Sequence, residues 1–187
     1  MTYYSPGVYF LTGSTFLHKP YFKYPEQKQI LLDQISKLKR EKDIQICAFS
    51  IQINHYHLVF YSRKENEVSI VKQYMHGGTS FLYRKMCKID KKDLWGSKKT
   101  IYIKSLEMYW KIIGYVCGNL LKHKEVSTFE ELKSNPFSSY EHFVRKYGDD
   151  MVREIIYRVI EIEEETEGDI NVKEMNGCSL KYIPDVK

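Results

Sequence analysis

No stretch of this sequence is apolar for long enough to cross a membrane. The longest mostly apolar run, Ile112 to Leu121, is ten residues and includes two Gly and an Asn, whereas a spanning helix needs roughly 20. The opening MTYYSPG has no basic segment followed by an apolar one, so no secretory signal is expected. Cysteine is scarce. Cys47, Cys87, Cys117 and Cys178 contain no Cys-x-x-Cys pair, which argues against a zinc ribbon or a thioredoxin-type centre and for free thiols in a reducing cytoplasm. There is no internal repeat and no low-complexity linker. Membrane, secreted and disulfide-framework classes are thereby set aside.

The 187 residues are 43% hydrophobic and 28% charged, the balance of an ordinary globular protein of one domain with room for a small appendage. Sixteen tyrosines suit a core or a base-stacking surface equally. Charge is more informative. Up to Lys124 there are 21 Lys and Arg against 9 Asp and Glu; from Glu125 onward there are 8 against 15. A +12 segment ahead of a −7 segment suggests a polyanion partner, most simply nucleic acid, although a solvated lysine-rich face fits the charge alone as well. Arg84, Lys85, Lys88, Lys91, Lys92, Lys98 and Lys99 flank one expected loop, where a phosphate backbone could be gripped. The acidic run Glu161 to Glu167 reads as a solvated helix end rather than a ligand mimic.

Val8 to Leu11 reads as a strand before Thr12-Gly13. Pro25 opens a helix with Ile30, Leu31, Ile35 and Leu38 on one stripe. Ile44 to Ile53 alternates, and His55 to Tyr61 follows as its partner strand. A helix over 68–86 carries Val71, Tyr74, Met75, Phe81, Leu82 and Met86 on one side, with Gly77-Gly78 marking a break or a close approach. Thr100 to Ile103 is a short strand, and Ser105 caps a helix running to about Lys122. A turn at Asn135-Pro136 and a last helix over about 151–165 complete the order. The pattern predicts an α+β fold, an antiparallel sheet with helices packed on one side, ferredoxin-like, plus a C-terminal helical extension.

Two features could carry chemistry. His55 and His57 share one face of their strand, and two neutral imidazoles side by side can hold a divalent metal or be plain surface histidines. On the helix after Ser105, Trp110, Ile113, Cys117 and Leu120 fall within roughly 40° of Leu106, at about 100° per residue. Tyr115 lies about 180° away, with Asn119 one turn on and Lys111 and Lys122 beside them. This tyrosine is expected outside the core. It is either an exposed residue on a wet face or a nucleophilic hydroxyl whose cationic neighbours favour phenolate and bind phosphate. His18, His76, His123 and His142 read as structural or surface residues.

These residues carry a resemblance. AFSIQINHYHLVF resembles the His–apolar–His (HUH) segment of the single-tyrosine transposases of insertion sequences and above all of the REP-associated tyrosine transposases, whose usual form is close to AYVLMPNHVHLLL. HGGTS, DLWGSKKTIYI, GYVCGNLLKH and NPFSSY come after it in the family's order, so the resemblance spans Tyr9 to Tyr140. It departs at Ile53 where proline is usual, at Phe137 where tryptophan is usual, and at Leu120, where a proline usually comes after the amide. The acidic last helix has no matching counterpart.

The resemblance implies an RRM-like HUH endonuclease domain over 1–140 and an acidic C-terminal helix and tail over 141–187. It implies Tyr115 as nucleophile, with His55, His57 and Asn119 holding Mg²⁺ or Mn²⁺. The substrate would be single-stranded DNA with palindromic hairpin elements, cut and rejoined through a 5′-phosphotyrosine in the cytoplasm at the nucleoid. The basic residues of the expected loop, with Lys111 and Lys122, are the expected DNA contacts. A monomer and a homodimer are both open, as is whether the site is built within one chain or between two. Rival readings are another HUH nickase of the replication-initiator or relaxase kind, a non-catalytic nucleic-acid-binding domain, and a metal-dependent hydrolase that uses water.

Overall fold

The computed structural model describes residues 4–88, 93–166 and 168–180. β1 (Gly7–Thr15) is followed by α1 (Pro25–Glu41), β2 (Gln45–Ile51) and β3 (His55–Ser62). α2 (Glu67–Lys72) then runs through a π-helical turn, Gln73–Gly78, into α3 (Thr79–Cys87), and β4 (Trp95–Tyr102) leads to α4 (Leu106–Lys122). The strands form one antiparallel sheet in the order β2-β3-β1-β4, which is the expected ferredoxin-like arrangement. The C-terminal part adds α5 (Phe129–Ser134), α6 (Tyr140–Tyr147), α7 (Asp149–Val159), a small hairpin of β5 (Glu164–Thr166) and β6 (Asp169–Ile170), and α8 (Val172–Gly177).

Local signals explain the helix starts. Pro25 occupies the first turn of α1, and the Gln27 side chain accepts from the Tyr24 amide at 3.0 Å. Ser105 caps α4 by accepting from Met108 N at 3.1 Å. The Gly77-Gly78 pair does not end its helix. It widens one turn, and a Cβ on Gly78 would stand 2.7 Å from Gln34 Oε1 of α1, so the glycine serves a close approach. The π-turn also rotates the faces of α3 away from the register a continuous α-helix would give. Phe81 and Met86, expected on the buried side, are exposed, while Thr79 and Tyr83 face inward.

The sheet has two covered faces. On one, Leu11, Tyr56, Leu58 and Phe60 pack against Leu31, Ile35 and Leu38 of α1 and against Val68, Val71 and Met75. On the other, Phe10, Ala48 and Val59 pack against α4 and the C-terminal helices. The expectation of helices on one side therefore holds for α1 to α3 and is corrected for α4 to α8. The reason is that α4 is buried throughout Trp110–Leu120, and a helix covered all round needs partners on every side. Gly114 and Gly118 admit α7: a Cβ on Gly114 would meet Ile155 Cγ2 at 2.6 Å, and one on Gly118 would meet Ile156 Cγ2 at 2.7 Å.

β2 is an edge strand, and the segment after Asn135 covers it. Ile51 N donates to Phe137 O at 2.9 Å, Ser139 N donates to Phe49 O at 3.0 Å, and Phe49 N donates to Ser139 Oγ at 2.8 Å. The NPFSSY segment thus occupies an edge that would otherwise invite pairing. All four cysteines are free. Among the described residues no helix is long and apolar enough to cross a membrane.

Candidate active site

Strand alternation sends Tyr56, Leu58 and Phe60 toward α1 and turns His55 and His57 toward α4. Tyr115 and Asn119, one turn apart on α4, meet them there. The His55 and His57 ring centroids are 5.0 Å apart, the His57 and Tyr115 rings 5.2 Å apart, and His55 Nε2 lies 3.0 Å from Asn119 Oδ1. One chain supplies all four residues. Tyr115 is 1% exposed, which corrects the expectation of a tyrosine outside the core. The apolar stripe of α4 turns away from the sheet, with Trp110 against Phe143 and Tyr147 of α6. The opposite, polar face of the helix therefore lies on the histidines and not in water.

Burial sets the charge state of the histidines. It lowers His55 to about 3, helped by the nearby His123, and drives His57 well below its ordinary value, so both rings are neutral at pH 7. Asn54 donates from Nδ2 to His18 O at 3.2 Å, which aims its Oδ1 at His55 Nδ1, 2.7 Å away. The single proton of a neutral His55 is thus held on Nδ1, and the Nε2 lone pair faces the Asn119 oxygen. Two lone pairs 3.0 Å apart repel unless a cation joins them or the Asn119 amide turns to donate from Nδ2. That spacing is close to the edge of an octahedral site with bonds of about 2.1 Å. Among the described residues, neither nitrogen of His57 nor Asn119 Nδ2 has a partner, and orphaned buried polar atoms mark where an ion or ligand belongs. No group of three His, Cys, Asp or Glu stands ready for a metal among the described residues; the polar side chain that adjoins the two histidines here is the amide of Asn119.

The acidic run does not end a solvated helix. α7 stops at Val159, and Lys122 Nζ donates to Ile160 O at 2.8 Å and Ile162 O at 2.6 Å. The chain then folds back over the site as the β5–β6 hairpin, with Glu167 of the run outside the described residues. Glu164 accepts from the Tyr115 hydroxyl and, at 3.2 Å, from His123 Nε2 on one oxygen, and from Gly168 N at 2.6 Å on the other. Burial pushes this carboxyl up, but the hydrogen bonds from His123, Tyr115 and the Gly168 amide outweigh it and hold Glu164 far below the usual carboxylate range. Gly168 lies on the His55 ring, and Thr12 Oγ1 is 2.9 Å from its carbonyl. His123, read from sequence as structural or surface, belongs to this cluster. Tyr115, Asn119 and His123 stand four residues apart, a spacing that could have found it. Glu164 offered no such signal.

The expected DNA contacts separate into groups. Arg84, Lys85 and Lys88 lie at the end of α3, Lys85 and Lys88 exposed, on the sheet face opposite Tyr115. On edge strand β4, Lys98 pairs in register with Gly13 and is exposed; Lys99 pairs with Thr12, shares the His57 side, and is bound by Glu165 at 2.8 Å. Lys111 is not a surface contact: it is buried and paired with Glu107 at 3.0 Å. Lys122 is likewise engaged with the two carbonyls after α7. The helix is covered on the side where both were expected to meet solvent. Lys91 and Lys92 lie outside the described residues.

Residues 16–106 match the family model described as "Transposase IS200 like", which bears out the resemblance seen in the residues. No curated protein matches the chain. Among solved structures it is similar to a REP-associated tyrosine transposase bound to a REP hairpin, at 20% identity and a TM-score of 0.61, over 78% of this chain and 84% of that one. It is also similar to a putative transposase from Deinococcus radiodurans R1, at 11% identity and a TM-score of 0.46, over 67% of this chain and 93% of that one. The first likeness shows a shared fold.

Proposed function

We propose that this chain, which matches the IS200-like transposase model over residues 16–106, cuts and rejoins single-stranded DNA beside hairpin elements, with Tyr115 as its nucleophile. One observation carries the reading. The family match ends before the tyrosine, yet within one chain the Tyr115 ring lies 5.2 Å from the ring of His57, whose nitrogens have no partner.

The Tyr115 oxygen attacks the phosphorus of a backbone phosphodiester. A bond from phosphorus to the tyrosyl oxygen forms, the bond to the 3′ oxygen breaks, and the proton lost by the phenol is balanced by the one gained on the departing 3′ oxygen. The 5′ phosphate stays on the protein. Attack by another 3′ hydroxyl reverses the step without an external energy source, because one phosphodiester replaces another. His55, His57 and Asn119 would hold a divalent ion, Mg²⁺ or Mn²⁺, whose contribution is to polarise a non-bridging phosphate oxygen. Asn54 keeps His55 in the tautomer that leaves Nε2 free for this role. The solved relative is described as bound to a REP hairpin, and we carry a DNA hairpin over to this chain, gripped by Arg84, Lys85, Lys88 and Lys98. The site needs no second copy of the chain. Acting on DNA, the protein works in the cytoplasm at the nucleoid.

The test is incubation with single-stranded hairpin oligonucleotides and Mg²⁺ or Mn²⁺, read for a covalent adduct on a denaturing gel. The adduct is expected with the natural chain and absent with Tyr115→Phe, which should still bind, or in excess EDTA. An adduct that survives Tyr115→Phe moves the nucleophile elsewhere. Binding with no adduct under any metal favours the non-catalytic alternative.

A further inference from the structure

The orphaned polar atoms beside the histidines continue onto β2 and the turn after it. Ser50 pairs in register with His57, and Gln52 N donates to His55 O at 2.9 Å, so the two residues stand opposite the two histidines. Ile51, between them, packs with Tyr56 on the α1 side, and alternation therefore turns Ser50 and Gln52 to the face shared by the histidines and α4. Directly opposed residues on one face have Cβ atoms about 4.5–5.5 Å apart. Both side chains are 0% exposed. Among the described residues Ser50 Oγ, Gln52 Oε1 and Gln52 Nε2 have no partner. Thr12, the β1 residue on the other flank of His57, is satisfied, since its Oγ1 donates to the Tyr56 carbonyl at 3.0 Å. The unmet capacity is thus on the β2 flank. The family form that this segment resembles has Val and Met at the places of Ser50 and Gln52, side chains that ask for no partner.

A side-chain amide buried without hydrogen bonds is costly, and its carbonyl oxygen is a donor of the kind that Mg²⁺ and Mn²⁺ favour. We propose that Gln52 is a further ligand of this site, its Oε1 joining His55, His57 and Asn119 on the divalent ion, with Gln52 Nε2 and the Ser50 hydroxyl bonded to water that the ion keeps. The proposal rests on the metal-assisted reading of the site and adds an oxygen donor from the turn between β2 and β3. That turn is well fixed for the role. Ile51 N, Gln52 N and Ile53 N donate to Phe137 O, His55 O and Glu125 Oε1 at 2.9, 2.9 and 2.8 Å, and Phe22 N donates to Ile53 O at 2.8 Å. A ligand carried on a backbone held at each residue loses little freedom when the ion binds.

Mn²⁺ alone is the probe, titrated into the full chain without DNA and read by loss of the free-ion electron paramagnetic resonance signal. Gln52→Met, Gln52→Glu and Asn119→Ala are compared with the natural chain, after thermal melting in EDTA has established that each is folded. Gln52→Met fills the place with an apolar side chain of similar size. It is expected to bind Mn²⁺ roughly tenfold or more weakly while melting in EDTA no lower than the natural chain, since an unpaired buried amide is gone. Gln52→Glu returns an oxygen donor and should restore the affinity, a rescue that a merely structural glutamine would not show. Gln52→Met that binds Mn²⁺ within about twofold of the natural chain, or a loss that Gln52→Glu does not restore, overturns the proposal. If Asn119→Ala loses Mn²⁺ while Gln52→Met keeps it, and the natural chain forms adduct with hairpin DNA, the function stands and the added ligand is removed. Mn²⁺ binding that depends on Gln52 in a chain that forms no adduct does the reverse. A natural chain that takes up no Mn²⁺ and forms no adduct overturns both; one that takes up no Mn²⁺ yet forms adduct overturns the ligand alone.

Discussion

Ile53 stands just ahead of Asn54 and His55, where the resembled family usually has proline. Unlike proline it carries an N–H, and the structure gives that group a charged partner. Ile53 N donates to Glu125 Oε1 at 2.8 Å, and the other carboxylate oxygen pairs with the Lys28 ammonium. The Lys28 and Glu125 side chains are only 9% and 13% exposed, and the ammonium lies 5.4 Å over the Phe137 ring. Glu125→Ala leaves a nearly buried ammonium and a backbone N–H without partners. Breaking one side of a buried pair costs about 3–5 kcal/mol, and the lost hydrogen bond to a charged acceptor, about 1.5–3 kcal/mol, is part of that sum. Net stability of a domain is about 5–15 kcal/mol, so Glu125→Ala should consume a large share of it. Lys28→Met with Glu125→Leu removes both charges and should cost less, about 1–3 kcal/mol for the stranded N–H. Adding Ile53→Pro removes the N–H as well and should recover most of that loss, since the backbone at Ile53 is not left-handed. Urea unfolding monitored by circular dichroism gives the order: natural chain, triple variant, double variant, then Glu125→Ala. If Glu125→Ala unfolds within 1 kcal/mol of the natural chain, or if proline worsens the double variant, the reasoning fails.

The core supports two further outcomes. His76 accepts from the Tyr56 hydroxyl at 2.7 Å and is held at about 3, chiefly by burial and secondarily by Lys98 and Lys72; His55 is lowered to a similar value. Between pH 6.5 and about 3 the unfolded chain binds protons at these rings that the folded chain refuses. Stability should therefore fall as pH falls through that window, by about 1.4 kcal/mol per unit for each ring; equal urea midpoints at pH 7.5 and 5.5 would refute their neutrality. Gly118→Val should destabilise by about 1–3 kcal/mol or more by pushing Ile156 and α7 off α4, and an unchanged melting temperature would contradict the close contact at Gly118.

The sheet and its first helices were legible in the sequence because their signals are local. The alternation after His55, proline at the start of α1 and the Ser105 cap each act within a few residues. What was not legible concerns what lies opposite a surface. A helical wheel separated Tyr115 and Asn119 from Trp110 and Cys117 correctly, but it registers polarity and not water. A polar face can abut a buried site, and here it does. The assumption that a ferredoxin-like sheet leaves one face open failed for the same reason, since α4 needed cover on all sides and the C-terminal helices supplied it. Glu164 was out of reach because β5 and β6 are three and two residues long, too short for any period to show. Lys111 and Lys122 were misjudged together: a cation flanking a candidate nucleophile suggests phosphate, but its partner is set by the tertiary fold.

Lys122 separates these views most sharply. As a DNA contact, its loss should weaken binding and flatten the salt dependence by about 0.7 for one phosphate on a single strand. The structure gives this lysine a different partner. Lys122 Nζ holds the Ile160 and Ile162 carbonyls, the link through which α7 delivers Glu164 to Tyr115. Lys122→Ala frees those carbonyls and removes a cation whose donors are already engaged. Affinity for single-stranded DNA and its salt dependence should therefore stay unchanged while the melting temperature falls. The comparison is Lys98→Ala, which removes an exposed cation on the same molecule and should weaken binding. If the two lysine variants weaken binding alike, Lys122 touches DNA and its hold on the two carbonyls does not occupy it.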